Sequence, residues 1–403
     1  MRAQSSSTQG SAASRSFSRW IPAIVAPLVI GVGVVLVPLQ ASAAVDLPDK
    51  TPAELIQFAA ESPAQPLSGT IKQTSELGLP DLSGLSGLMG GAPGAGQGGE
   101  PAVSATDLAD VVSLALGTHT ARVYVDGSNA RLQVLDPLAE RNVYRTAEGV
   151  WVYDSSAKAA THLTVDHAAV EALKADLKAG HAADAGASAP VTTPQAMLDQ
   201  ALAALDSSTA VTVGTDALVA GRAAYELVLT PRDSHTLVGQ VSVAIDGKTG
   251  TALAASVTAR GASSPAFNVA FTDVSFAAPD PAVFAFTPPA GTTVTEKAVP
   301  VPTAAELQQA KSGAGSSADA AAQPIVHGTG WTSVVELPAG ALGAAGATAG
   351  GAAASGVLDT LTQPVDGGRV LTTSLVTVFF TSDGRVFAGA VDTATLQAAA
   401  SGH

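Results

Sequence analysis

The sequence predicts an α+β protein: a curved antiparallel sheet closed over short helices, followed by a small C-terminal α+β unit. Three observations carry this expectation. Apolar and polar residues alternate with period two through long stretches, as in strands with one buried face. Gly, Pro, Asp and Asn punctuate the breaks, where turns need their backbone preferences. Between the strand blocks lie short runs with apolar residues on one helical side. The chain has 403 residues, enough for two or three domains with real cores. Aromatics make up 4% and alanine and glycine abound, so several segments read as linkers.

Residues 1–43 form a targeting segment. Arg2, Arg15 and Arg19 precede an apolar run from Ile21 to Leu39, and Ala41-Ser42-Ala43 fits a small-x-small cleavage site. The alternative is an uncleaved anchor through residues 20–39, close to the ~20 residues that span a bilayer. Pro22, Pro27, Pro38 and the Ala-x-Ala pattern favour cleavage as a signal peptide. Either way the body is exported across the cytoplasmic membrane, to a secreted, cell-wall or periplasmic site. The formal net charge is −14, and the targeting segment holds no acidic residue, so the body is more acidic still. Such a body is a poor partner for nucleic acid. The absence of cysteine removes disulfides, thiolate metal sites, a cysteine nucleophile and a lipid-modified cysteine.

The remaining chain divides into 44–298, a linker at 299–324 and a C-terminal unit at 325–403. Thr51-Pro52-Ala53-Glu54 predicts a capping box and a short helix at 52–60. Leu67–Leu77 reads as the first strand. Residues 81–105 are Gly/Ser/Ala-rich; their GxGxxG match, Gly94–Gly99, lacks a preceding strand and is a poor nucleotide site. A helix is expected at 106–116. Two hairpin signals follow: 121–136 across Asp126-Gly127, setting Val123 and Val125 opposite Leu132 and Val134, and 140–165 around Glu148-Gly149. Further helices are expected at 166–178 and 194–205, separated by an Ala/Gly linker at 179–192.

Gly221–Phe276 is the clearest block, a four-strand meander. Tyr225, Leu227 and Leu229 share a face, as do Val241, Val243 and Ile245, then Leu253, Val257 and Ala259, then Phe267, Val269 and Phe271. Gly247-Lys248-Thr249 resembles the end of a phosphate loop, but Ser242 stands where that pattern needs Gly, so Asp246-Gly247 reads as a hairpin turn. In the C-terminal unit, Trp331–Leu337 reads as a strand. Arg369–Thr381 and Arg385–Val391 read as a hairpin, and a helix ends the chain.

No constellation supports catalysis, a metal or a cofactor. The seven histidines are scattered and read as solvated loop residues. Trp151 and Tyr153 share a strand face, as sheet packing or as the mouth of a pocket. Arg122, Arg131, Arg141 and Arg145 read as surface charges paired with carboxylates, or as a patch for a lipid headgroup or acidic partner.

The blocks TPAELIQFAA…LSGTIKQTSELGLP, VYVDGSNARLQVLD, NVYRTAEGVWVYD, GRAAYELVLTP…VSVAIDGKTG and DPAVFAFTPPAGTTV give residues 47–298 a resemblance to the bacterial outer-membrane lipoprotein-carrier superfamily. That superfamily includes LolA, LppX-like lipid binders and the N-terminal domain of the regulator RseB. The resemblance implies an incomplete β-barrel wrapped around helices, with an apolar half-barrel cavity for the acyl chain of a lipid or lipoprotein. Its candidate lining is Val123, Val125, Leu132, Val134, Leu227, Leu229, Val241, Val243, Phe267 and Phe271. The residue pattern alone reads the same face as a filled core. The resemblance implies a non-catalytic carrier or sensor working with a membrane exporter. The two-part layout offers the alternative of an RseB-like regulator that binds an anti-sigma factor or another envelope-stress partner.

Overall fold

Thr51 starts the first helix, α1 (Pro52–Glu61), as its residue pattern predicts. Its hydroxyl accepts from the Glu54 amide while the Glu54 carboxylate accepts from the Thr51 amide at 2.8 Å. The computed structural model describes residues 47–78, 117–136, 139–166, 168, 169, 172, 208–299, 301, 303, 324–339 and 361–402. The targeting segment, the GxGxxG stretch, most of the expected helix at 166–178, and the expected helices at 106–116 and 194–205 lie outside them.

The first half supplies β1 (Leu67–Ser75), β2 (His119–Asp126), β3 (Asn129–Asp136), β4 (Ala139–Thr146), β5 (Gly149–Asp154) and β6 (Ala159–Val165). Then come β7 (Thr209–Val213), β8 (Ala217–Val219) and the meander β9 (Arg222–Pro231), β10 (Val238–Asp246), β11 (Ala252–Ala259) and β12 (Pro265–Ser275), closed by β13 (Thr293–Val299). All thirteen belong to one sheet of order β13-β6-β5-β4-β3-β2-β1-β12-β11-β10-β9-β7, with β8 paired to β9. The two strand blocks are thus a single sheet, joined through β1, which pairs with β2 on one side and β12 on the other.

A second, six-stranded sheet has the order β14-β15-β19-β18-β17-β16. Its strands are β14 (Ile325–His327), β15 (Val334–Leu337), β16 (Gln363–Val365), β17 (Gly368–Thr372), β18 (Thr377–Thr381) and β19 (Val386–Gly389), and α2 (Thr393–Ser401) follows them.

Several expectations need correcting. The described fold is mostly β, with two α-helices among the described residues; the large sheet is not closed, which agrees with an incomplete barrel. β13 runs parallel to β6, which makes the sheet mixed. Val123 faces Leu132, but Val125 faces Ala130 and Val134 faces Ala121, because in an antiparallel pair a step forward on one strand is a step back on the other. The strand expected from Trp331 starts at Val334, since Gly330–Thr332 makes a 3₁₀ turn. The strand expected over Arg369–Thr381 is two, broken where the Thr373 hydroxyl accepts from the Val376 amide.

The expected turn at Asp246-Gly247 is present, and Asp246 organises it. Its carboxylate accepts from the Lys248 amide at 3.0 Å, the Thr249 amide at 2.8 Å and the Thr249 hydroxyl at 2.9 Å. Gly250 follows with φ +69, and a Cβ there would meet the Ser62 hydroxyl at 2.0 Å, so only glycine lets this turn close on the end of α1.

The main apolar core lies on the large sheet and is sealed by the loop between β17 and β18. Leu55 of α1, Leu227, Val243, Leu253 and Val269 of the large sheet, and Leu375 and Val376 of that loop all belong to it; the small sheet has a second cluster of its own, with Val334, Phe379, Phe387 and Leu396. The small sheet caps the end of the large one: Leu237 N–H donates to Ala390 O at 2.7 Å, and Ser374 N–H to Leu77 O at 2.9 Å.

Candidate functional site

The ten candidate lining residues lie on one face of the large sheet. Register carries the face from Leu132 to Val123, from Val134 through Ala121 and Ile71 to Phe271, and from Val269 through Ala255 and Val243 to Leu227. Val123, Val134, Leu227, Leu229, Val241, Val243, Phe267 and Phe271 are buried in the common core; Val125 and Leu132 are half-buried against it. α1 covers part of this face, where Phe58 meets Tyr225 edge-on at 6.5 Å and Tyr225 Oη donates to Pro48 O at 2.9 Å. A shallow pocket of about 400 Å³ opens at the end of α1 between Phe58, Pro63, Gln65 and Lys248, and none of the ten lines it.

The opposite face of β2–β6 is aromatic. Cross-strand pairing sets Tyr124, Arg131, Tyr144, Trp151, His162 and Glu296 in one row from β2 to β13. Side chains directly opposite across strands share a side and touch. Arg131 stacks over the Tyr144 ring at 4.8 Å and lies 5.8 Å from Tyr124. His162 lies flat on Trp151 at 4.1 Å with 3° between the planes, and its Nδ1 meets Glu296 Oε2 at 2.8 Å. Across this row runs the segment after β12. Phe286 packs on Tyr144 at 4.8 Å, on Trp151 at 5.3 Å and on Tyr153 at 5.4 Å.

The polar groups here are unevenly matched. The Arg131 guanidinium donates from Nε and Nη2 to Asn142 Oδ1 at 3.3 and 3.1 Å, and from Nη1 to Val283 O at 3.3 Å. Both acceptors are neutral, and among the described residues no carboxylate pairs with it. Asn142 is 0% exposed, and its Nδ2 has no acceptor; the His162 Nε2 is likewise buried and unpartnered. Burial raises the Tyr144 phenol above its ordinary range, against the opposing charge of Arg131.

The histidine and arginine expectations change accordingly. His162 is a stacked strand residue and His119 lies on β2, whereas His235 sits in an exposed turn. His327 pairs with Glu336 at 2.6 Å, and Glu336 also meets Arg385 at 3.2 Å. Burial pushes the Glu336 carboxyl up, but hydrogen bonds from His327 and Arg385 outweigh it and the net shift is down. Arg131 is not an ion-paired surface arginine, and Arg145 donates to the Ser128 carbonyl. Trp151 and Tyr153 do share a face, and they pack against Phe286. Phe286 and Arg131 could have been placed beside Trp151 only by knowing register across four strands.

Among the described residues no group of three or more His, Asp and Glu could hold a metal ion, and no helix is long and apolar enough to cross a membrane. No protein-family model matches the chain, and no curated protein matches it. Its fold is similar to MucB and to LolA-superfamily proteins at low sequence identity. MucB of Pseudomonas aeruginosa, solved in a MucA/MucB complex, is 15% identical over 85% of this chain and 93% of that one, with a TM-score of 0.37. A LolA-superfamily protein from Nitrosomonas europaea is 9% identical over 59% of this chain and 99% of that one, with a TM-score of 0.22. A lipoprotein-sorting protein domain from Vibrio parahaemolyticus is 9% identical over 55% and 91%, with a TM-score of 0.20.

Proposed function

We propose that this chain is a non-catalytic, exported regulatory protein that binds a protein partner with a rigid body made of two sheets. The partner class is an anti-sigma factor or another envelope-stress protein, as the resemblance of the sequence implies. One observation carries the reading: the loop between β17 and β18 plugs into the core of the large sheet. Its Leu375 and Val376 are buried with Leu227, Val243 and Val269. Fully burying a Val or Leu side chain is worth about 1.5–3 kcal/mol, so such a seam resists opening. A body of this kind presents fixed surfaces on two sheets and suits recognition of a folded or extended protein.

A second reading keeps the acyl-chain carrier or sensor. It is favoured by Val125 and Leu132, which share the apolar face yet stay half-buried. One experiment separates the two. The protein is expressed in its exporting host with a photo-crosslinking residue on the aromatic face at Arg122, purified, and measured by native mass spectrometry. A stoichiometric protein adduct without bound lipid is the expected result. One acyl lipid per chain and no protein adduct would overturn the regulatory reading in favour of the carrier.

A further inference from the structure

The arm that follows β12 is held to the aromatic row by groups that a partner could supply. Within it, Asp280 caps a 3₁₀ turn at Pro281–Phe284 by accepting from the Ala282 amide at 2.9 Å. Val283 then offers its carbonyl to Arg131, Phe286 lays its ring on Tyr144 and Tyr153, and Glu296 reaches His162. These contacts run along the row in chain order, from β3 to β6. The arm ends as β13, an edge strand whose seven residues are all exposed, Val294 and Val299 among them. It adds little apolar burial there.

The arm also leaves the row incompletely satisfied. A guanidinium bound only to neutral acceptors and a fully buried amide without an acceptor adjoin at Arg131 and Asn142. A buried donor left without an acceptor is costly, and guanidinium favours a carboxylate with two oxygens over a single carbonyl. Arg122 lies on the same face of β2 as Tyr124, exposed, and has no carboxylate partner among the described residues. Glu140 also faces this side, but it accepts from Gln133.

We propose that the row Tyr124–Arg131–Tyr144–Trp151–His162 is a docking groove for an extended segment of a protein partner, and that Pro281–Val299 is an internal surrogate which that segment displaces. This deepens the partner-binding reading above and rests on it. The surrogate gives the chemistry of the ligand: an acceptor for Arg131, better met by an Asp or Glu side chain than by the Val283 carbonyl, and an aromatic side chain three residues further on.

The test uses the full chain and the arm itself as probe. A fluorescent peptide of sequence 281–299 is titrated against wild type and the Phe286→Ala variant, with Phe286→Leu as the milder opening; near-UV circular dichroism checks the fold. The peptide is expected to bind Phe286→Ala about tenfold tighter than wild type, since the ring contacts hold the arm in place. A peptide carrying Val283→Asp should bind tighter again, and this gain should vanish with Arg131→Met. A peptide carrying Phe286→Ala should not bind. Absence of exchange in folded variants, equal binding of a scrambled peptide, or failure of both variants to fold would each overturn the groove. If exchange occurs but the photo-crosslinked partner adduct is unchanged by Arg131→Met, the groove is not the partner site, while the partner-binding reading stands.

Discussion

The Trp331 indole N–H donates to the Thr209 hydroxyl at 2.8 Å, joining residues 122 apart in the chain and fastening the small sheet to the end of the large one. Leu375, in the loop between β17 and β18, is fully buried in the core of the large sheet. Leu375→Ala is expected to cost about 2–5 kcal/mol. Both sheets should then unfold together at lower denaturant, with far- and near-UV circular dichroism coinciding. Separate transitions would show that this loop does not couple the two sheets.

Asp246 is 1% exposed and pairs with Arg222. Burial raises its carboxyl, but the bonds from Arg222 and Thr249 outweigh this and hold it below the ordinary range. The folded form therefore binds a proton less readily than the unfolded chain. The pair's stabilisation is present above pH ~4, the ordinary Asp value, and is lost as pH falls through the depressed value. Arg222→Met is expected to cost about 2–3 kcal/mol at neutral pH, below the range for a fully buried pair because Arg222 is partly exposed. Urea titrations at pH 7 and pH 3 should show the variant's deficit shrinking in acid.

Asp383 is exposed, and its carboxyl is drawn down to about 2 by hydrogen bonds from Thr381 and Arg385. A carbon-13 NMR titration should place its midpoint there. Arg385→Gln should move it back towards the ordinary Asp range; an unmoved midpoint would leave Thr381 as the main cause.

Thr51→Ala removes the hydroxyl half of the capping box and is expected to cost about 1 kcal/mol. Thermal unfolding followed at 222 nm is the check, and Thr51→Ser should restore most of the loss.

Val243 is fully buried on the apolar face. Val243→Phe is expected to destabilise the protein by about 1–3 kcal/mol through overpacking. A melt paired with a fluorescent fatty-acid titration reads both readings of this face. A variant of unchanged stability with weakened probe binding would speak for a cavity.

The meander was legible because large apolar residues alternate with small or polar ones along each strand and each break carries a turn residue, as at Asp246-Gly247, although β10 and β11 are buried on both faces. The capping box at Thr51 and Glu54 was legible for a similar reason: four adjacent residues hold all the information. β13 was not legible. Its residues TVTEKAV bury no face, so no period-two signal arises, and its partner β6 lies over a hundred residues earlier. The aromatic row was half legible. Alternation alone places Trp151 and Tyr153 together, but bringing Arg131, His162 and Phe286 to them depends on register and on the path of the arm. The candidate lining residues fall on one face as alternation requires; whether that face is filled depends on volume, which alternation does not encode.

β1 precedes every other described strand in the chain and stands in the middle of the large sheet. The Thr70 carbonyl accepts from the Thr272 hydroxyl, 202 residues later. β2 can join β1 early, since the length of chain between two strands adds little closure cost, about 0.6 kcal/mol per doubling. The other edge of β1 has no partner until Pro265–Ser275 has left the ribosome. Ile71 and the unpaired backbone beside it remain open through all that time, as a template for wrong pairing. The order of synthesis and the order of completion therefore run opposite ways. High contact order of this kind makes folding slow, and any protection by a chaperone is needed most while the meander is still emerging.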